Sequence, residues 1–325
     1  METDVKHGVL MVTYNHERYI GDALASIFLN DVLPYKVIIH DDCSTDRTWQ
    51  IINDYQKKFP NIIYAKQNKA NIGLYANINA VWLAGIQSDC DMLTWCCGDD
   101  LLEKNLIENL NNEIVKQKID VKNEKCIIVT NSALLYPNGK VALWNNYILR
   151  NGNMRMERIG KRLSYREVGM SKKLFEDFEP LRSDIGLASD TIFTFHNDFC
   201  CEHWYFANFI GAYYRVNVGA VVRSEITGLL ESESKAYRIL LESEKYHFTD
   251  NEKKLIMLWI TFDDLICEIT FKRWCAYLKQ FRINFTVNKQ FITYRMVACL
   301  LPPFAIRLMV FIRSLQKSVR RKNAR

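Results

Sequence analysis

Short apolar runs of strand length alternate with amphipathic segments of helix length through the first 130 residues, and few architectures accommodate that alternation. Val9–Thr13 reads as a buried strand and Glu17–Leu29 as a helix, and Val37–His40 with Asp46–Phe59 repeats the pair. Ile62–Ala65, Ile72–Gln87, Asp91–Cys96, Leu101–Lys118 and Cys126–Thr130 continue it. Apolar strands separated by helices predict βαβ units and a mostly parallel sheet, with right-handed crossovers placing helices on both faces. The stretch from Tyr136 to Asp184, rich in Asn, Gly, Arg and Lys, reads as loops, and strand-like content returns at Phe209–Val222. Beyond Gly228 the pattern is helical. Thr249 and Glu252 are spaced as a capping box ahead of the apolar run Leu255–Ile269. Trp274, Tyr277, Leu278, Phe281 and Phe285 then recur at helical spacing among Lys272, Lys279, Arg282 and Lys289. The expected organisation is an α/β domain over residues 1–228 and a helical region over residues 229–325.

In an open α/β sheet, ligands bind beyond the carboxyl ends of the strands, so the residues found there carry the functional argument. The first strand is followed by Thr13-Tyr14-Asn15, the second by Asp41-Asp42-Cys43-Ser44-Thr45-Asp46, and the fourth by Gly98-Asp99-Asp100. These ends are expected to bring up to five carboxylates toward one crevice. Clustered carboxylates raise one another's pKa unless a cation intervenes. Mn²⁺ or Mg²⁺ bridging to phosphates would relieve the repulsion, because hard cations prefer oxygen ligands. The plainer alternative makes these acids turn formers and caps, with Asp46 or Ser44 capping the next helix and Asp41 a buried acceptor. The glycine-rich dinucleotide and P-loop signatures are absent, which argues against dehydrogenase and NTPase chemistry.

With 325 residues, 49% hydrophobic and 25% charged, the chain can bury one large core or two modest ones, and disordered or collagen-like classes are excluded. Ten Cys occur without any CxxC spacing, so the usual zinc and redox patterns are missing. Met1–Gly8 is polar and the apolar run Val9–Val12 is short for a signal peptide. Reduced thiols and a cytoplasmic location are therefore expected. His196 and His203 lie among aromatics without paired ligand spacing and read as packed or solvated side chains.

The run VLMVTYNHERYIGDALASI followed by VIIHDDCSTDRTWQII resembles the opening of the family 2 inverting glycosyltransferases with the GT-A fold. Asn71-Ile72-Gly73-Leu74-Tyr75-Ala76-Asn77 is similar to that family's N-x-G-x-x-x-N loop and helix start, and Gly98-Asp99-Asp100 sits where the family carries its DxD-type metal motif. The resemblance covers roughly residues 8–222 and is most specific over the N-terminal hundred. It implies that Thr13 and Tyr14 line the nucleotide pocket, with the Tyr14 ring under the base, and that Asp42 accepts a hydrogen bond from the nucleobase. It further implies donor-binding positions at Asn15, Glu17, Asn71 and Gly73, a sugar or ribose contact at Asp99, and a metal ion on the diphosphate held by Asp100 with Asp99. Cys97 departs from the pattern, standing where the family's first DxD aspartate falls. The family's general base is an Asp about two dozen residues before a strand ending in Tyr-Arg. Asp190 occupies that position relative to Tyr214-Arg215, with Asp184 and Asp198 as neighbouring competitors.

The net charge of +6 conceals an asymmetry. Of the 43 Lys and Arg, 13 lie between Phe271 and Arg325, a segment without Asp or Glu, whereas residues 1–270 balance at −7. A basic segment with nine aromatics suits nucleic acid or an anionic membrane. The nearly apolar run Met296–Ile312, broken by Pro302-Pro303 and Arg307, favours an interfacial membrane anchor over a nucleic-acid arm. The alternative is that this helical region closes the protein's own core. The expected activity is transfer of a sugar, with inversion, from a nucleotide-sugar (a UDP-sugar) to an acceptor hydroxyl. The expected acceptor is a lipid-linked oligosaccharide of surface polysaccharide synthesis, and the expected place is the inner face of the cell membrane, with no nucleic-acid partner. The rivals are a nucleotidyltransferase, which would carry an Arg-containing Gly-rich loop after the first strand, and a catalytically inactive membrane-associated scaffold.

Overall fold

The computed structural model describes residues 3–145, 155–156, 159, 168–216 and 226–307. The chain forms two compact units: one from Met1–Met154, Ser164–Ser183 and Phe193–Arg223, the other from Arg155–Leu163, Asp184–Ile192 and Ser224–Arg325.

The first unit is built on a twisted α/β sheet. Its elements are β1 (His7–Thr13), α1 (Ile20–Phe28), β2 (Lys36–Asp41), α2 (Thr48–Lys58), β3 (Ile63–Gln67), α3 (Leu74–Gln87) and β4 (Met92–Cys97). They continue as β5 (Leu101–Leu102), α4 (Leu106–Gln117), β6 (Cys126–Leu135), β7 (Val141–Asn145), β8 (Val168–Ser171) and β9 (His203–Arg215). Between the last two runs helix α5 (Ser189–Cys200), whose first residues belong to the second unit.

The strand order is β3-β2-β1-β4-β8-β6-β9-β5, with β7 paired to β6. β1 pairs in parallel with β2 and β4, β2 with β3, and β6 with β9, while β8 runs antiparallel between β4 and β6. The carboxyl ends of β1, β2, β4, β6 and β9 therefore share one edge of the sheet. The sheet is covered on both faces, which is why β1 reads as an unbroken apolar run. Val9 and Met11 pack on one side with Leu24, Ile52 and Leu110, and Leu10 and Val12 pack on the other with Val81, Trp82 and Phe193.

The structure departs from the sequence expectation at three places. β8 and β7 lie in the stretch expected to be loops, and Val168-Gly169-Met170-Ser171 is too short to show a period-two pattern. β5 is a two-residue strand at the start of the expected helix Leu101–Lys118, formed because Leu101 and Leu102 pair with Tyr213 and Ala212. The strand expected at Phe209–Val222 runs instead over His203–Arg215, and residues 217–222 lie outside the described residues.

The second unit is helical: α6 (Ile226–Glu242), α7 (Asp250–Cys267), α8 (Phe271–Val287) and α9 (Tyr294–Ala298). The capping box is present. The Thr249 N–H donates to Glu252 Oε2 at 2.7 Å and the Glu252 N–H donates to Thr249 Oγ1 at 3.3 Å. Leu255, Trp259, Tyr277 and Phe281 are buried, and the Tyr277 hydroxyl donates to the Met296 carbonyl at 2.6 Å. The inner face of α8 thus serves the core of this unit, so the basic segment from Phe271 onward is not free along its whole length. No described helix is long and apolar enough to cross a membrane. The run Met296–Ile312 is followed only to Arg307, and residues 308–325 lie outside the described residues.

Candidate functional site

The ends of β2, β1 and β4 lie side by side, and each side chain there has a definable task. Asp41 closes β2 and is fully buried. Its carboxylate accepts from the Thr13 hydroxyl at 2.7 Å, the Ser44 hydroxyl at 2.5 Å, the Ser44 N–H at 3.0 Å and the Gln67 amide at 2.9 Å. Those four bonds occupy about all the acceptor positions a carboxylate offers. Asp41 is a structural acceptor that ties β1 and β3 to the loop after β2, as the plainer reading had it, and the Thr13 hydroxyl is committed to it.

Asp42, 3% exposed, accepts from the Asn68 amide at 3.0 Å, the Ile72 N–H at 2.8 Å and the Gly73 N–H at 3.0 Å. Its carboxylate shapes the loop that leads into α3. That loop turns through Gly73, whose φ of +87° strains any residue with a Cβ, and Asn71 Oδ1 accepts from the same Gly73 N–H at 3.1 Å. Asn77 completes the arrangement by donating to the His40 carbonyl at 3.0 Å. The N-x-G-x-x-x-N spacing is therefore a scaffold for the Asp42 loop.

Asn15 and Glu17 join the β1 and β2 ends. Asn15, at φ +55°, accepts from the Thr45 N–H at 2.9 Å and donates its own N–H to the Ser44 hydroxyl at 2.9 Å. Glu17 accepts from the Arg47 N–H at 3.2 Å. Asp46 accepts from the Thr48 N–H and hydroxyl at 2.9 and 2.5 Å and from the Glu17 N–H at 3.1 Å. Burial raises its pKa, but these hydrogen bonds outweigh it and hold the carboxyl below the usual carboxylate range. The Tyr14 ring stands out of this network, 45% exposed, with a face available for stacking.

At the end of β4 the chain makes a tight turn. The Gly98 N–H donates to the Val12 carbonyl and the Asp100 N–H to the Cys97 carbonyl, both at 3.1 Å. A Cβ on Gly98 would lie 2.6 Å from Thr13 Cγ2 and 2.9 Å from His16 Nδ1, so only glycine lets β4 approach β1 this closely. The Cys97 sulfur and a carboxylate oxygen each from Asp99 and Asp100 lie within 4.8 Å of one another. Of the five carboxylates expected at the crevice, Asp41, Asp42 and Asp46 brace the loops, and Asp99 and Asp100 form the metal-competent group with Cys97.

Two residues were not singled out from the sequence. The Arg215 N–H donates to Asp100 Oδ1 at 3.1 Å, while its guanidinium pairs with Asp22 at 2.8 Å and lies over the Tyr19 ring. Arg215 Nε is buried without a hydrogen-bond partner among the described residues, as is His16 Nδ1 beside Gly98. The signal was available for Arg215: it ends a strand parallel to β6 and so emerges at the same edge as the acidic turn.

Asp190 stands exposed in the first turn of α5, in the part of the chain that belongs to the second unit. Asp184 is also exposed, and Asp198 is 4% exposed. Among the described residues a second metal-competent group, Asp177, His196 and Cys200, occurs in the first unit. There His196 is buried and its Nε2 donates to the Asp177 carbonyl, so it is a packed histidine.

Residues 8–163 match the family described as Glycosyl transferase family 2. The chain carries a family 2 glycosyltransferase domain. Its fold agrees with that of Staphylococcus aureus TarS residues 1–349, solved in complex with UDP-GlcNAc, at a TM-score of 0.62 and 17% identity over 91% of this chain and 84% of that one. In sequence, the family 2 domain is 36% identical over 93 residues to an uncharacterized protein of Mycobacterium tuberculosis, Rv1520, covering 28% of this chain and 26% of that protein. It is 29% identical over 119 residues to the poly(ribitol-phosphate) beta-N-acetylglucosaminyltransferase TarS of Staphylococcus aureus, covering 36% and 20%. The chain thus spans about a quarter or less of the length of these curated relatives. The GT-A fold expected from the sequence is present, with a helical C-terminal part.

Proposed function

We propose that the protein is a metal-dependent inverting glycosyltransferase that moves a sugar from a UDP-sugar to an acceptor hydroxyl in cell-surface polysaccharide synthesis. The observation that carries the reading is the cluster of Cys97, Asp99 and Asp100 at the carboxyl edge of a family 2 domain, where the exposed Tyr14 follows the neighbouring strand β1. The relatives named for transfer to poly(ribitol-phosphate) and for minor teichoic acid biosynthesis, and the TarS structures with UDP-GlcNAc and UDP, support the donor class and the kind of pathway.

In this reading Tyr14 stacks on the base and Asp42 keeps about one acceptor position for it beyond the three bonds it already accepts. Asp99 and Asp100 would hold Mn²⁺ or Mg²⁺, which would supply positive charge to stabilise the leaving nucleoside diphosphate. The Arg215 backbone fixes the Asp100 carboxylate. Asp190, assigned on its sequence position and its exposure, takes the proton from the acceptor hydroxyl as its oxygen forms the bond to the anomeric carbon and the nucleoside diphosphate departs. A lipid-linked acceptor, a cytoplasmic location and docking on the inner membrane face belong to the same proposal. They are supported by the 13 basic residues from Phe271 onward and by the exposed Val297, Leu301 and Phe304.

The test is UDP-sugar turnover with and without EDTA, for the wild-type chain, Asp100→Asn and Asp190→Asn. Chelation and Asp100→Asn should abolish turnover. Asp190→Asn should reduce it by about 10²- to 10⁴-fold, the usual contribution of a general base, while UDP binding by calorimetry persists. Turnover that survives both substitutions without metal overturns the mechanism. Absence of nucleotide and metal binding would point to the inactive-scaffold alternative.

A further inference from the structure

We propose that Cys97 is a direct thiolate ligand of the catalytic cation, and that it turns the crevice toward borderline and soft divalent ions, Zn²⁺ and Cd²⁺, and away from hard Mg²⁺. The inference rests on the metal-dependent reading above and refines it by naming what selects the ion.

The geometry comes first. An ion bound at ~2.3 Å to sulfur and ~2.0–2.2 Å to carboxylate oxygen with tetrahedral angles holds those ligands about 3.5 Å apart. The Cys97 sulfur and the Asp99 and Asp100 oxygens already fall within 4.8 Å of one another, so closure around one ion needs side-chain shifts of about 1 Å. The backbone holds the three residues together for it, because the Asp100 N–H closes the turn onto the Cys97 carbonyl and the Gly98 N–H anchors it to β1. Asp100 is further held by the Arg215 N–H at 3.1 Å. Cys97 is half-buried at the crevice, unlike Cys96 before it, which is buried in the core. One strand position thus separates a packing sulfur from one among carboxylates, because successive side chains point to opposite faces.

The chemistry then decides the ion. Mg²⁺ demands oxygen ligands in near-ideal octahedral geometry and gives up its waters reluctantly. Sulfur suits softer ions, and affinity at a mixed sulfur and oxygen site rises from Mn²⁺ toward Zn²⁺. Replacing an aspartate oxygen by a thiolate at this position therefore costs Mg²⁺ more than it costs Mn²⁺ or Zn²⁺.

The probe is Cd²⁺ titrated into the full chain, read by the near-ultraviolet sulfur-to-cadmium charge-transfer band, with Mg²⁺ and Mn²⁺ as competitors. A band saturating at one equivalent should appear in wild type and be lost in both Cys97→Ser and Asp100→Asn. It should persist in Cys200→Ser, which disables the only other metal-competent group found among the described residues. In Cys97→Asp the preference for Cd²⁺ over Mg²⁺ should fall by more than the roughly 10- to 100-fold that loss of an outer-shell partner causes, with an unchanged melting temperature in the absence of metal showing that the fold is intact. A band that survives Cys97→Ser, or an identical ion preference in wild type and Cys97→Asp, overturns the assignment. The two levels separate cleanly. Metal-dependent transfer with no change of preference in Cys97→Asp sinks the ligand and leaves the enzyme. A Cys97-dependent band without transfer under any ion sinks the enzyme and leaves the ligand.

Discussion

Asp41 and Asp42 are neighbours in the sequence with the same chemistry, yet they serve different loops: one carboxylate binds the Ser44 turn, the other the Ile72–Gly73 turn. That division follows from strand alternation, which sends consecutive side chains to opposite sides. His40, just before them, carries a testable consequence. Burial, with a smaller contribution from Lys66, depresses its imidazole from the ordinary 6.5 to about 4, and burial moves His7 in the same direction. The unfolded chain therefore binds the proton first as pH falls. The stability is intact above pH 6.5 and is lost as pH drops toward 4, by about 2 kcal/mol at pH 5 for a shift of this size. Urea midpoints at pH 7.5 and 5 should differ less in His40→Gln than in wild type; equal differences would show that His40 does not govern this window. Residue identity and position were enough to nominate Asp42, Asp99 and Asp100. They could not separate scaffold from ligand, because that depends on which N–H groups reach each carboxylate.

The turn after β4 works only because β4 lies against β1 without a side chain between them. Gly98→Ala would drive a methyl into Thr13 and His16, part the two strand ends and displace Asp99 and Asp100. Overpacking of this kind destabilises by about 1–3 kcal/mol. Calorimetric Mn²⁺ affinity should fall as well, whereas an unchanged affinity would show that the acidic turn tolerates a wider gap. The long elements of both units were legible because their signals are local: β1 and β2 as apolar runs, α7 through Thr249 and Glu252. β5 and β8 were not. Two and four residues carry no periodicity, and each is a strand only because a distant one supplies its hydrogen-bond partners. Arg215 was legible only as the end of a strand, and its contact with the acidic turn depends on the same kind of pairing, here of β5 with β9.

The opposed charges of the chain, −7 over residues 1–270 and +13 over 271–325, make an interaction with anionic surfaces the property of the whole molecule most open to measurement. Co-sedimentation with vesicles containing anionic lipid should be strong at low salt and weaken as ionic strength rises, since screening shortens the reach of each charge. Leu301→Ser with Phe304→Ser should weaken it further, because both side chains are exposed and apolar. Binding indifferent to salt and to both substitutions would remove the membrane from the account. Composition and periodicity, which are properties of neighbouring residues, determined by themselves the α/β class, the helical second part, the charge asymmetry and the acidic edge of the sheet. Tertiary structure alone decided that the Tyr277 face of α8 belongs to a core and that Asp41 is a brace. The physical reason is common to both: burial and acceptor saturation are set by groups far apart in the chain, and a linear pattern records only those that are near.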